Sequence, residues 1–168
     1  IKALTENITK EEKARRVFEL KMLQSQINPH FLYNTLDTIL WLSELNENEA
    51  VIKVTSALGK LLRFSLSTDL DFVSIKDEIE HVKNYLEIQK IRYEDMLVYE
   101  IDSIDNLKDA FIPKLIIQPI VENAIYHGLR PNGGGKINIS FESFDNDIII
   151  IVSDNGKGFD LSLIHISE

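Results

Sequence analysis

Residues 26–34 read Gln26-Ile27-Asn28-Pro29-His30-Phe31-Leu32-Tyr33-Asn34 and divide a long apolar pattern with helical spacing into two parts. On the N-terminal side, apolar residues three and four positions apart predict a helix over the first 27 residues. Pro29 has no backbone N–H, so we expect it to kink this helix near Asn28. Beyond the kink the helical spacing returns at Leu36, Ile39, Leu40 and Leu42, and the polar segment 46–49 ends it.

A second apolar stripe follows that turn and predicts another helix, with Val51, Val54, Leu58, Leu61 and Leu62 on one face. Residues 1–68 are therefore predicted to form a helical hairpin with an N-terminal linker helix. Two helices alone leave much of their apolar stripes in water, whereas pairing two hairpins buries them. We predict a homodimer in which two copies build a four-helix bundle.

Residues 69–168 have a different pattern and predict a layer of helices and strands, which makes the whole chain α+β. Ser74 followed by Asp77 resembles a capping box that opens a third helix, whose apolar face leaves His81 in solvent. Pro113 opens a further helix over 114–127, and Gly128 ends it. Alternating residues predict strands over 96–101 and 136–144, and a turn at 145–147 leads into a buried strand over 148–152.

The composition excludes several classes of protein. A net charge of −9 over 168 residues argues against a nucleic-acid partner, whose phosphates require clustered cations. The absence of cysteine excludes disulfides and thiolate metal sites. The apolar run 148–152 is far shorter than the roughly 20 residues that cross a bilayer.

His30 is a candidate phosphate acceptor, because an imidazole can be neutral and nucleophilic near neutral pH. Asn34 lies one helical turn later on the same side. By spacing alone the alternative is a packing histidine, since His30 follows Ile27 by three residues at the edge of the core stripe.

Asn123 and His127 are four residues apart on one face of the predicted helix. An asparagine oxygen can bind a Mg²⁺ ion that also holds substrate phosphates, and a histidine one turn later can donate to a phosphate oxygen. The alternative is structural, with Asn123 bonded to a neighbouring element and His127 facing the helix dipole.

Asp154 follows the strand 148–152, and strand ends of this kind often form ligand sites. A carboxylate there can accept from an exocyclic amino group such as that of adenine, while Gly156 and Gly158 allow close approach of the backbone. Alone, this segment is typical of a turn. The three motifs occur together, in this order and after a hairpin, and this combination favours the ligand-binding interpretation.

From Leu20 to Phe159 the sequence resembles the LytS-like class of sensor histidine kinases. In that class a phosphoacceptor hairpin precedes an α/β-sandwich ATP-binding domain of the type shared with gyrase. The run over residues 26–34 matches the histidine box of the family. By position, the resemblance implies that His30 is phosphorylated and that the following residues bind ATP and Mg²⁺: Asn123 as metal ligand, Asp154 at adenine, His127 at phosphate, and Gly156 and Gly158 in the first glycine box.

The resemblance also implies a function in two-component signalling. ATP would phosphorylate His30, and the phosphoryl group would pass to an aspartate in the receiver domain of a response regulator. The enzyme would act at the cytoplasmic side of the bacterial plasma membrane, held there by an upstream segment. Nine residues follow Phe159, where the family has its ATP lid and second glycine box, so an incomplete catalytic domain over 69–168 with weak nucleotide affinity is expected.

Two departures from related families bear on the chemistry. Pro119 stands where the hydrolytic relatives carry a carboxylate, and the lack of that carboxylate favours phosphotransfer over hydrolysis. Glu122, next to Asn123, is the candidate catalytic group that could assist in its place. Phe31 stands where many histidine kinases have an acid, so the base at His30 is unassigned. The alternatives are a non-catalytic dimerisation module with a vestigial ATPase half, and a nucleotide-driven clamp.

Overall fold

The computed structural model describes residues 28–67, 71–144, 147–156 and 158. The predicted linker helix over the first 27 residues lies outside this part. Helix α1 spans Pro29–Glu44 and helix α2 spans Asn48–Leu66, as the apolar stripes predict. None of the helices in the described part of the chain is both long and apolar enough to cross a membrane.

Helix α1 begins at Pro29 and is not the continuation of a kinked helix. Asn28 has an extended conformation (φ −65°, ψ 109°), and its side chain accepts from the backbone N–H groups of His30 at 3.1 Å and Phe31 at 3.4 Å. An asparagine N-cap followed by proline at the first helical position is a start signal. The predicted kink is therefore wrong.

Helix α3 spans Ile75–Tyr93 and is the central helix of the fold. The Ser74 hydroxyl caps it by accepting from the backbone N–H of Asp77 at 3.1 Å, which confirms the predicted N-cap. The prediction that His81 is solvated is wrong, since only 2% of this residue is exposed. The apolar stripe covers one side of α3, and a second side containing His81 packs against helices on either flank.

Two short strands flank α3. Strand β1 spans Phe72–Ser74 and pairs antiparallel with β3, Phe111–Pro113, so that Val73 lies opposite Ile112 on the buried side. A 3₁₀ turn over Glu94–Met96 leads from α3 into β2, Leu97–Ile101.

The main sheet has the order β2-β4-β5, with β4 spanning Gly135–Phe144 and β5 spanning Asp147–Asp154. Strand β2 is parallel to β4, and β4 is antiparallel to β5 as the predicted hairpin requires. Ile137 and Ile139 are fully buried on the predicted face of β4. The prediction that the next strand is buried is wrong: Ile149 and Ile151 are 44% and 38% exposed, because only the alternate residues Ile148, Ile150 and Val152 of β5 pack against the core.

Helix α4 spans Ile117–Asn123 and continues as a π-helix over Ala124–Leu129 and a 3₁₀ turn over Arg130–Asn132. The predicted helix 114–127 is therefore wrong at both ends. Pro113 belongs to β3, and Leu115 in the following turn has a φ of +60°. Gly128 lies inside the π-helix, and the helical segment ends at Gly133, which adopts the left-handed conformation.

The hairpin and the helix-and-sheet layer share one apolar core. Phe31 of α1 packs against Tyr85 of α3 with ring centroids 5.0 Å apart, and Phe64 of α2 stacks on His81 at 4.5 Å. Lys53 of α2 also forms an ion pair with Glu87 of α3. The position of α3 is thus fixed from the hairpin side.

Candidate functional site

A cavity of about 230 Å³ lies between the α4 region and the end of β5. It brings together four of the residues that the sequence predicts for a ligand site, although they come from two distant segments. The lining residues are Ile120, Asn123, Ala124, His127, Gly128, Val152, Asp154 and Gly158.

Asn123 and His127 contribute the polar side of the cavity from one helical face. Both residues are exposed, and within the described ranges no residue hydrogen-bonds to the Asn123 side chain. The structural alternative for Asn123 required such a bond to a neighbouring element. Its amide is instead available to a ligand in the cavity.

Asp154 takes part in the predicted turn and also lines the cavity. Its Oδ1 accepts from the backbone N–H of Gly156 at 2.9 Å, which is the predicted turn, and the residue also lines the cavity. The neighbouring Asn155 holds this turn to β4 by accepting from the backbone N–H of Lys136 at 2.7 Å. The carboxylate is therefore fixed at the cavity by backbone contacts on both sides.

Gly128 and Gly156 allow the end of β5 to lie directly against the π-helix. A Cβ on Gly128 would overlap the Asp154 carboxylate, and one on Gly156 would overlap the Gly128 backbone. Gly156 thus shapes the site without lining it. Gly158 lines the cavity with a φ of +69°, a conformation that favours glycine.

Ile120 and Val152 form apolar walls that the sequence interpretation missed. Spacing could have found both residues. Ile120 precedes Asn123 by three positions and so shares its helix face, while Val152 precedes Asp154 by two and shares its strand face.

Glu122 does not line the cavity. Its carboxylate accepts a hydrogen bond from Gln118 Nε2 at 2.8 Å, and burial raises the pKa of this carboxyl while that hydrogen bond opposes the rise. The structure therefore separates Glu122 from the other predicted site residues, since its carboxylate faces away from the cavity they line.

His30 lies in the first turn of α1, and its ring is exposed. This exposure contradicts the packing alternative, because it is the next residue, Phe31, that enters the core. Asn34 Nδ2 lies 3.0 Å from Nδ1 and 3.3 Å from Nε2 of the imidazole, which limits the rotation of the ring. His30 is not among the residues that line the cavity.

The cavity fits a Mg²⁺ ion that is held mainly by the phosphates of a molecule bound there and only in part by the protein. Mg²⁺ commonly takes one or two protein oxygens, with the rest of its coordination supplied by phosphates and water. Asn123 offers one amide oxygen without a competing hydrogen bond, and the described residues contain no group of three or more acidic, histidine or cysteine side chains that would form a complete protein site.

These features define a class of protein in which a hairpin with an exposed histidine is joined to a helix-and-sheet layer that holds a polar cavity. A family model for histidine kinases matches residues 18–97. The chain is 43% identical over 143 residues to the sensor histidine kinase YesM of Bacillus subtilis, covering 84% of this chain and 25% of that protein. It is 35% identical over 159 residues to the sensor protein kinase HptS of Staphylococcus aureus, covering 95% of this chain and 30% of that protein.

These matches confirm the resemblance to LytS-like sensor histidine kinases, and residues 18–97 belong to the histidine kinase family. The chain spans between a quarter and a third of the length of these relatives.

Proposed function

We propose that this protein is a sensor histidine kinase that transfers the γ-phosphoryl group of ATP to His30. The observation that carries the proposal is the cavity in which Asn123, His127 and Asp154 meet, on the same chain as an exposed histidine. The whole protein would then pass the phosphoryl group to an aspartate of a response regulator receiver domain.

The cavity residues have complementary roles in nucleotide binding. Asp154 accepts from the exocyclic amino group of adenine, while Ile120 and Val152 contact the ring. His127 donates to a phosphate oxygen, and Asn123 supplies a ligand to Mg²⁺. When bound, the metal ion offsets the negative charge of the phosphates.

The transfer step requires positioning more than covalent assistance from the protein. A ring nitrogen of His30 forms the bond to the γ-phosphorus, the bond to the bridging oxygen breaks, and ADP leaves with that electron pair. The proton on the ring nitrogen that does not attack then passes to solvent. Asn34 limits the rotation of the ring, which lowers the entropic cost of the encounter.

The hairpin carries an exposed apolar surface that supports the predicted homodimer. Large apolar side chains on α1 and α2 remain in water in the single chain, and a surface of this kind marks an interaction site. Pairing two hairpins into a four-helix bundle would cover it. These residues are Tyr33 (68% exposed), Leu36, Leu40 (63%), Trp41, Leu45, Ile52 (69%) and Leu66.

The relatives are named sensor kinases, and this supports placing the catalytic region on the cytoplasmic side of the plasma membrane, with the membrane attachment outside the described residues. ATP and the receiver domain of the response regulator would meet it there.

The test is transfer from γ-labelled ATP to the full-length protein. Wild type should acquire a label that is lost in acid and stable in alkali, as expected for a phosphohistidine, and His30→Gln should remove it. His127→Gln is the matched control, since it should raise the ATP concentration required and still permit labelling at saturation. Persistent labelling of His30→Gln would refute the assignment of His30, and a wild type that does not bind ATP would refute the kinase.

A further inference from the structure

A buried polar network, formed by His81, Gln118 and Glu122, joins α3 to α4. His81 Nε2 contacts Gln118 Oε1, and Gln118 Nε2 lies 2.8 Å from Glu122 Oε1. His81 is 2% exposed, and Gln118 and Glu122 are half-buried. The network is thus largely shielded from water. In such a low-dielectric environment hydrogen bonds are stronger, and a polar group without a partner is costly.

The hydrogen bonds of this network can run in one direction only, from His81 as donor through Gln118 to Glu122 as final acceptor. Burial lowers the pKa of His81 to about 4, so its imidazole is neutral near pH 7 and carries a single N–H. With that N–H on Nε2, it donates to the Gln118 carbonyl oxygen. The amide group of Gln118 then presents its N–H to Glu122, whose carboxylate can only accept.

The network begins at the hairpin and ends beside the cavity. The His81 ring stacks on Phe64 of α2 with centroids 4.5 Å apart and an interplanar angle of 25°. At the other end, Glu122 directly precedes Asn123, which lines the cavity. Successive residues of an α-helix are rotated by about 100°, so fixing the direction of Glu122 also fixes that of Asn123.

We propose that Gln118 is a positioning residue for the nucleotide site. By bonding both to His81 of α3 and to the Glu122 carboxylate one turn later on α4, it ties this part of α4 to α3 and sets the rotation of the helical turn that presents Asn123 to the cavity. It also links that rotation to α2 through the stacked ring of His81. The effect on nucleotide binding rests on the proposed kinase function, whereas the network itself does not.

The test exchanges the amide and the carboxylate in the full-length protein. Gln118→Glu has the same shape and can still accept from His81, but it repels Glu122 instead of donating to it. We expect its KM for ATP to rise about tenfold, the equivalent of one lost hydrogen bond. The double variant Gln118→Glu/Glu122→Gln restores a donor opposite an acceptor and should return the KM to near the wild-type value.

Asn84→Asp is the matched control. It makes the same chemical change on α3, where Asn84 bonds to the backbone of Glu80 and lies away from the cavity. Its KM for ATP should equal that of wild type. A Gln118→Glu variant with an unchanged KM would overturn the proposal, and so would an exchange variant that stays impaired, since Glu122 would then act by its own charge.

A second measurement reads the network without nucleotide. The Nε2–H of His81 should give a slowly exchanging imidazole signal in the proton NMR spectrum, and Gln118→Glu should shift it. If Gln118→Glu leaves the His81 imidazole signal unchanged, the proposed network is wrong, whatever the outcome for the kinase function. Failure of the wild-type protein to bind ATP overturns the kinase function, together with the predicted effect on KM.

Discussion

Glu78 caps α4 from a distance, and its removal should destabilise the fold. The residue is fully buried, and its carboxylate accepts from the backbone N–H groups of Leu115 at 2.9 Å and Ile117 at 3.1 Å. The N-cap position of α4, Ile116, provides no side-chain hydrogen bond of its own. The first turn of the helix that carries Asn123 therefore depends on a side chain from α3.

The magnitude follows from these two contacts. A hydrogen bond to a charged group contributes about 1.5–3 kcal/mol, so the pair contributes roughly 3–6 kcal/mol before any cost is deducted. Desolvation of the carboxylate raises the pKa of Glu78 and offsets part of this gain. We expect Glu78→Ala to lower the free energy of unfolding by about 2–4 kcal/mol, and Glu78→Gln by about 1–2 kcal/mol because the amide keeps one acceptor.

Urea unfolding followed by circular dichroism measures both changes as shifts of the midpoint at constant slope. Glu80→Ala and Glu80→Gln are the matched controls, since Glu80 lies on the same helix with its side chain 59% exposed and 3.9 Å from Lys60. An exposed ion pair of this kind contributes about 0–1 kcal/mol at most. If Glu78→Ala loses no more stability than Glu80→Ala, the cap does not stabilise the fold and the reasoning is wrong.

Three further predictions follow from individual contacts. Gly156→Ala should lower the free energy of unfolding by about 1–3 kcal/mol, because its Cβ would overlap the Gly128 backbone; an unchanged thermal midpoint would contradict this. Burial raises the pKa of Glu78 above its unfolded value, so the stability gained by protonation is present at low pH and is lost as pH rises through the folded pKa. The loss of unfolding free energy caused by Glu78→Gln should therefore be larger at about pH 4 than at about pH 7. Equal losses at the two pH values in urea titrations would refute the shift. Leu40→Asp should weaken self-association at least tenfold in sedimentation equilibrium, whereas the control Lys60→Asp, on the exposed surface of α2, should not. Equal dimer dissociation constants for Leu40→Asp and Lys60→Asp would exclude the proposed dimer surface.

Most helices and strands could be predicted because their signals are local. Apolar spacing is sufficient for α1, α2 and α3, the capping serine marks the start of α3, and alternation marks β4. The polar residues of the cavity were predicted from local signals too, since Asn123 and His127 share a helix face and Asp154 follows a strand.

The errors fall where distant segments decide the environment. Apolar periodicity wrongly predicted that His81 is exposed to solvent, because the apolar stripe identifies only one buried face of α3. The second buried face, which contains His81, is formed only when α2 and α4 pack against it. The start of α4 was misplaced for the same reason. Pro113 is typical of a helix start, but its segment pairs with β1, and a carboxylate 39 positions before Ile117 receives the first free N–H groups of the helix.

The sequence by itself determined the histidine motif, the hairpin and the order of the cavity motifs, because helical and strand periods depend only on neighbouring residues. Only the tertiary structure decided that Asn123 and His127 face Asp154 across one cavity, that Glu122 turns away from it, and that His81 connects the hairpin to α4. Such relations depend on how elements far apart in sequence pack together, and burial and hydrogen bonding between them are properties of that packing.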